Sequence, residues 1–365
     1  MGATRKLTVD RPRKLWNWNF EARLPTSENS TAIRSRPIIA RKVPLPTVSV
    51  IIPVRDGAQY VGEALQSILD QDLADIEIIV VDDGSCDDSA AIATSIGNRD
   101  GRVKVVANHG KGIVDALNMG ISLARAPLAA RMDCDDISLS NRLRLQVACF
   151  QADADLQLLG TAGLQIDRDG NPLGQIDVPA GNDQLRDALA RYNPMLHPTV
   201  MFLTEAVRRA GGYRRAFTYA EDYDLWLRLS ETGKLANMDA RLVKLRSHPG
   251  QVSRMKQDQQ KAAAALARQS ALLRRNRTEP FDANSQPAQA IASFLASRAA
   301  TGAGISSLER RDIELLLRTA GIPMAVTCKL LFLAAVGAPS FRTLALGPRL
   351  AWRRMIARPA RIRPS

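Results

Sequence analysis

A parallel β-sheet covered by helices on both faces, an α/β class, is the architecture expected of this 365-residue chain. Three features point to it. Short runs such as "VSVIIPV" (48–54) and "IEIIVVD" (76–82) are apolar on both faces, as strands covered from both sides must be. The stretches between such runs carry the helical hydrophobic period. The strand–helix alternation that results is that of βαβ units, whose crossovers join parallel strands.

The elements follow in order from Val48. After the first strand, "YVGEALQSILDQ" places Val61, Ala64, Leu65, Ile68 and Leu69 on one helical face. The second strand, 76–82, is followed by a helix in "DDSAAIATSIG", and "RVKVVAN" (102–108) is a third strand. A third helix has Ile113, Ala116, Leu117, Gly120, Ile121 and Ala124 on one stripe; "APLAARMD" (126–133) is a fourth strand and "SNRLRLQVACFQ" a fourth helix. In sheets of this kind ligands bind beyond the carboxyl ends of the strands.

Composition limits the function. With 45% hydrophobic and 24% charged residues the chain can bury a sizeable core, which excludes disorder throughout. Cys86, Cys134, Cys149 and Cys328 form no CxxC pair, so neither a zinc site nor a disulfide framework is suggested, and a reducing cytosol fits. The net charge of +13 is uneven: residues 1–46 hold 10 basic against 3 acidic residues, 47–255 hold 22 against 28, and 256–365 hold 18 against 6. An acidic centre argues against nucleic acid binding there, while basic flanks suit an ordinary solvated surface or, where the excess is one-sided, a place near anionic lipid or nucleic acid. No signal peptide and no uninterrupted run of membrane-spanning length occurs.

The carboxylates are the chemical signal. "VVDDGS" ends the second strand and "RMDCDD" the fourth, so Asp82, Asp83, Asp133, Asp135 and Asp136 gather on one rim. They would repel one another unless a cation joined them. For "DDGS" helix capping is an equal alternative. For "DCDD" Ser138 or Ser140 is the better cap for "NRLRLQ", and a hard divalent ion, held by carboxylates and substrate phosphates, is favoured. Standard nucleotide sites fail: "PVRDGAQY" is no G-x-G-x-x-G turn, Val81 stands where an aspartyl-phosphatase nucleophile belongs, and no P-loop occurs.

Taken together, "VSVIIPVRDGAQYVGEALQSILDQ", "EIIVVDDGSCDDS", "ALNMGISLARAPLAARMDCDD", "LHPTVMF" and "AEDYDLWLRL" resemble the family 2 glycosyltransferases of the GT-A fold over about residues 47–255. The resemblance implies a Rossmann-like, mostly parallel sheet flanked by helices, and an inverting transfer of a sugar from a nucleotide-diphosphate donor, here a UDP-sugar, to an acceptor hydroxyl. It implies a Mn²⁺ or Mg²⁺ ion with Asp135 as direct ligand and Asp133 nearer the donor ribose or a metal water. Alternation along an extended segment puts these two on one side, leaving Asp136 to brace the following loop. It assigns nucleotide binding to Pro53, Arg55 and Asp83, and a place beneath the donor to "NHGKGIVDALN", with Lys111 meeting a phosphate and Gly112 allowing close backbone approach. Arg55 pairing with Asp56 or Asp72, and Lys111 as a solvated side chain, are the plain alternatives.

The same resemblance makes Asp222 the general base and Glu221 the acid that positions the acceptor. Tyr223, Trp226, Leu227 and Ser230 form the buried stripe of that helix, and interaction of the acids with the helix dipole is the alternative account. His248 matches a loop closing over the diphosphate and His197 a position beside the acceptor pocket; each equally suits a turn before proline. A nucleotidyltransferase, or a nucleotide-sugar- or glycan-binding protein on the same fold that lost turnover, are the competing functions. Three regions are expected: a basic N-terminal segment 1–46, a catalytic domain 47–255 and a basic helical region 256–365. Further helices are expected at 286–299 and 307–319, and "IPMAVTCKLLFLAAVGAPSF" (322–341) is either a packed helix or a membrane-facing one. A cytoplasmic enzyme, peripheral at the membrane face, acting on a glycan or lipid-linked acceptor in surface polysaccharide or glycolipid assembly, completes the expectation.

Overall fold

The computed structural model describes residues 45–250 and 256–275, with isolated positions at 285–287, 290, 293–294, 311–313 and 315–316. Nearly all of the basic segment 1–46, and all of 322–365, lie outside them.

Strands β1 (Val48–Val54), β2 (Ile76–Asp82), β3 (Val103–Ala107) and β4 (Leu128–Arg131) run parallel in the order β3-β2-β1-β4. Helices α1 (Val61–Leu69), α2 (Ser89–Gly97) and α3 (Ile113–Leu123) connect them. Every residue of β1 is buried, because alternate side chains meet different helices. Val50, Ile52 and Val54 pack with Val61, Leu65 and Ile68 of α1, and Ile51 packs with Val114, Leu117 and Ile121 of α3. Each such side chain contributes about 1.5–3 kcal/mol when fully buried. At Gly120 a Cβ would stand 2.4 Å from Ile51 Cγ2, so only a hydrogen fits between α3 and β1. This parallel half matches the expected strand–helix order.

The second half of the sheet is mixed. β5 (Ile137–Ser138), β6 (Leu156–Ile166), β7 (Pro172–Ile176), β8 (Met201–Leu203) and β9 (Lys234–Arg246) continue the order as β4-β8-β6-β9-β5, with β7 on β6. β8 is antiparallel to both β4 and β6, whereas β6 and β9 are parallel. Helices α4 (Arg142–Ala152), α5 (Asn182–Leu189), α6 (Thr204–Arg209), α7 (Glu221–Leu229) and α8 (Gln257–Arg275) complete the described elements.

Two local expectations change. Neither Ser138 nor Ser140 caps α4: Asn141 occupies that place without a side-chain bond, and Ser138 lies in β5, where its Oγ accepts from Gln71 Nε2 at 3.2 Å. α7 is not one-sided either. Tyr223, Trp226 and Leu227 are buried as expected, but so are Leu225 and Leu229, because α8 covers the helix from outside. Ala263, Leu266 and Ala267 of α8 share one hydrophobic cluster with α7, which ties the start of the expected helical region into the catalytic core. Of the described positions within 286–299 and 307–319, all but Gln286 are helical. Among the described residues no helix is long and apolar enough to cross a membrane.

Candidate active site

Because β1, β2 and β4 are parallel and adjacent, the segments following β2 and β4 leave the sheet on the same rim. Asp82 accepts from Ser85 N at 3.3 Å and braces the turn there. Asp83, its side chain 8% exposed, accepts through Oδ1 from Asn108 Nδ2 (2.6 Å) and Gly112 N (2.9 Å). Gly112 donates from a backbone with φ of +86°, a conformation that glycine adopts without the strain a side chain would add. Arg55, exposed at the end of β1, reaches Asp83 Oδ2 at 3.7 Å and Asp56 at 3.8 Å; Asp72 is taken by Arg144 instead. Pro53 is a buried residue of β1 opposite Val81. Lys111 is exposed, and its backbone N–H donates to Asp115 Oδ2 at 2.7 Å.

Beyond β4, Asp133, Asp135 and Asp136 each offer a carboxylate oxygen, and these oxygens lie within 4.8 Å of one another. Burial raises the proton affinity of Asp133, opposed by Arg131 and reinforced by Asp135. Asp136 is pushed well above the usual carboxylate range by burial and then by its two neighbours. Arg131 pairs with Asp133, while its buried Nε and Nη1 have no partner among the described residues. His248 Nε2 stands 2.9 Å from Asp135 Oδ2 with its ring 5.3 Å from that of Tyr60, so the expected diphosphate-side histidine adjoins the acidic cluster.

At the N-terminus of α7 stands the second acidic pair. Asp222 accepts from Asn193 Nδ2 and from Tyr223 N, both at 2.7 Å. Burial raises its proton affinity and these two bonds oppose the rise. Glu221 is 7% exposed, its Oε2 has no partner among the described residues, and burial with the adjacent Asp222 lifts its pKa to about 7. Tyr219, just before the helix, holds φ at +79°, a conformation costing a non-glycine residue on the order of 1 kcal/mol. His197 lies 2.9 Å from the Tyr213 hydroxyl and is kept neutral by burial and by Arg131. Its ring packs with Tyr213 and Trp226 at 5.6 and 5.8 Å, a bracing role between β8 and α7.

Sequence reasoning missed Arg131, Asn193, Asp224 and Arg246. Arg131 and Asn193 sit inside the motifs "RMDCDD" and "NPMLHP", but side-chain pairing across elements leaves no mark in one sequence. Asp224, fully buried, receives Arg214 at 2.5 Å and Arg228 at 2.9 Å and fixes α7 from within.

The sheet, the carboxylate rim and the helix-borne acid pair define a sugar-transferring enzyme of the GT-A type. In fold the chain resembles Staphylococcus aureus TarS residues 1–349, solved in complex with UDP-GlcNAc, with a TM-score of 0.54 at 16% identity over 84% of this chain and 92% of that one. The family model described as "Glycosyl transferase family 2" matches residues 49–208. The O-antigen biosynthesis glycosyltransferase WbnJ of Escherichia coli is 33% identical over 51% of this chain and 72% of its own length. The amylovoran biosynthesis glycosyltransferase AmsE of Erwinia amylovora is 31% identical over 56% and 78%. The chain belongs to glycosyltransferase family 2 and is a glycosyltransferase.

Proposed function

We propose that this enzyme transfers a sugar from a UDP-sugar to an acceptor hydroxyl with inversion at the anomeric carbon, in the assembly of a surface polysaccharide or glycolipid. One observation carries the reading: two acidic groups, Asp133–Asp135–Asp136 and Glu221–Asp222, both feel the charge of the buried Arg131, which pairs with Asp133. Names of the relatives WbnJ and AmsE support the polysaccharide setting, and the UDP-GlcNAc complex of TarS supports the donor class.

The rim fits a divalent metal. Its donors are hard oxygens, burial and then their mutual repulsion raise the proton affinity of Asp133 and Asp136, and Arg131 pairs directly with one of the three carboxylates, Asp133. Asp135 and Asp133 would hold Mn²⁺ or Mg²⁺, with His248 beside them. Bound there, the ion stabilises the negative charge that develops on the diphosphate. Asp83 accepts from the nucleobase, Arg55 and Pro53 border the nucleoside, and Lys111 and Gly112 line the donor from below.

In the transfer, the acceptor oxygen forms a bond to the sugar's anomeric carbon as the bond from that carbon to the diphosphate breaks. The electron pair leaves with the nucleotide and the acceptor proton passes to the Asp222 carboxylate. Asn193 and the Tyr223 N–H orient Asp222 and favour its ionised form. Glu221 positions the acceptor by hydrogen bonding. A single displacement inverts the configuration, so NMR of the product must show an anomeric configuration opposite to that in the donor. Calorimetry with Mn²⁺ is expected to show UDP binding at least tenfold tighter than GDP; retention, or a preference for GDP, would contradict the reading.

A further inference from the structure

We infer that Arg246 is a positioning residue that holds the carboxylate rim in its metal-binding arrangement, an inference that rests on the metal reading above. Arg246 ends β9 and is only 3% exposed. Its backbone N–H donates to Asp136 Oδ1 at 2.8 Å, and its Nε donates to the Asp135 carbonyl at 2.8 Å. Nη1 donates to the Arg168 carbonyl at 2.9 Å, in the turn between β6 and β7. Nη2 meets Glu63 of α1 at 2.6 Å, and the guanidinium carbon lies 4.8 Å from the centroid of the Tyr60 ring. Tyr60 in turn packs against His248, which touches Asp135.

One side chain therefore ties the acidic loop to α1, to a hairpin turn and to β9. The division of labour matters. Glu63 pairs with the guanidinium, while Arg246 reaches Asp135 at its main-chain carbonyl, not its carboxylate, and Asp136 through its own backbone amide. Arg246 fixes where the loop stands without cancelling its negative charge, which stays available to a cation. Groups that orient metal ligands in this way are worth about 10–100-fold in metal affinity. The fork geometry is required, because a lysine ammonium carries the charge but cannot reach the loop, the turn and Glu63 at once.

The test is titration of the full chain with Mn²⁺ alone, the free ion followed by electron paramagnetic resonance, for the wild type, Arg246→Lys and Arg246→Met, with melting temperatures measured in parallel. Both variants are expected to weaken Mn²⁺ binding about 10–100-fold. In each, turnover is expected to recover toward the wild-type value as Mn²⁺ is raised. Binding by the wild type with unchanged Mn²⁺ affinity in both variants, whatever the melting temperatures do, would overturn the inference and leave the metal reading standing. A wild type that binds no Mn²⁺ would overturn both. Lysine restoring full affinity would contradict the fork and reduce Arg246 to a charge.

Discussion

Glu221 and Asp222 are adjacent in the chain and burial raises the proton affinity of both, yet their hydrogen bonding differs, and that difference can be measured. Asp222 has two hydrogen bonds that favour its charge, whereas Glu221 has a buried oxygen with none. With Asp222 as base, Asp222→Asn should lower turnover by about 10²-fold or more while leaving donor binding nearly intact. Undiminished turnover would transfer the role to Glu221. For Glu221 the folded pKa of about 7 exceeds its ordinary 4.5, so the folded state binds the proton more tightly than the unfolded chain. Its contribution to stability is full below about pH 4.5, declines as pH rises toward 7, and is then lost. Glu221→Gln should therefore melt higher than the wild type at pH 8 and gain nothing at pH 4; a variant less stable at pH 8 would refute the assignment. The acidic types at these positions were legible in "RMDCDD" and "AEDYDLW". Their partners were not: Asn193 reaches Asp222 only through the fold, and the two-residue spacing of Arg131 and Asp133 does not by itself tell a buried pair from two solvated side chains.

At the scale of elements, the parallel half of the sheet was legible because β1 and most of β2 are apolar on both faces and α1 and α3 each keep a buried stripe. The mixed half was not. β8 has three residues, too few for a period, and β9 interleaves Lys234, Asp239, Arg241 and Lys244 among its buried positions. α7 escaped a one-face reading for a related reason: with Asp224 neutralised inside by Arg214 and Arg228, a helix with polar residues all round can be buried all round. Asp224→Ala should thus cost about 3–5 kcal/mol, the penalty of stranding paired buried charges, read as a shifted urea midpoint. A loss under 1 kcal/mol would show that the cluster is not what holds α7. Packing of α3 on β1 makes a parallel prediction: at Gly120 even a methyl meets Ile51, and Gly120→Ala should destabilise by about 1–3 kcal/mol.

For the whole molecule, charge separates the chain into an acidic catalytic stretch and basic ends. We propose that residues 322–365, with their apolar run and "WRRMIARPARIR", hold the enzyme at an anionic membrane face, each nearby Lys or Arg contributing about 1 kcal/mol before screening. Flotation with anionic liposomes should then depend on salt and weaken in a chain ending near Thr278; binding indifferent to lipid charge or to the truncation would reject it. Metal-assisted sugar transfer at the Asp135 rim is tested by nucleoside diphosphate release from a panel of nucleotide sugars, with acceptor, for the wild type and Asp135→Ala, with and without Mn²⁺. Release from UDP-sugars by the wild type is expected only when Mn²⁺ is present, with near-complete loss in Asp135→Ala. Equal release by both proteins, or release by the wild type unaffected by metal removal, would contradict it.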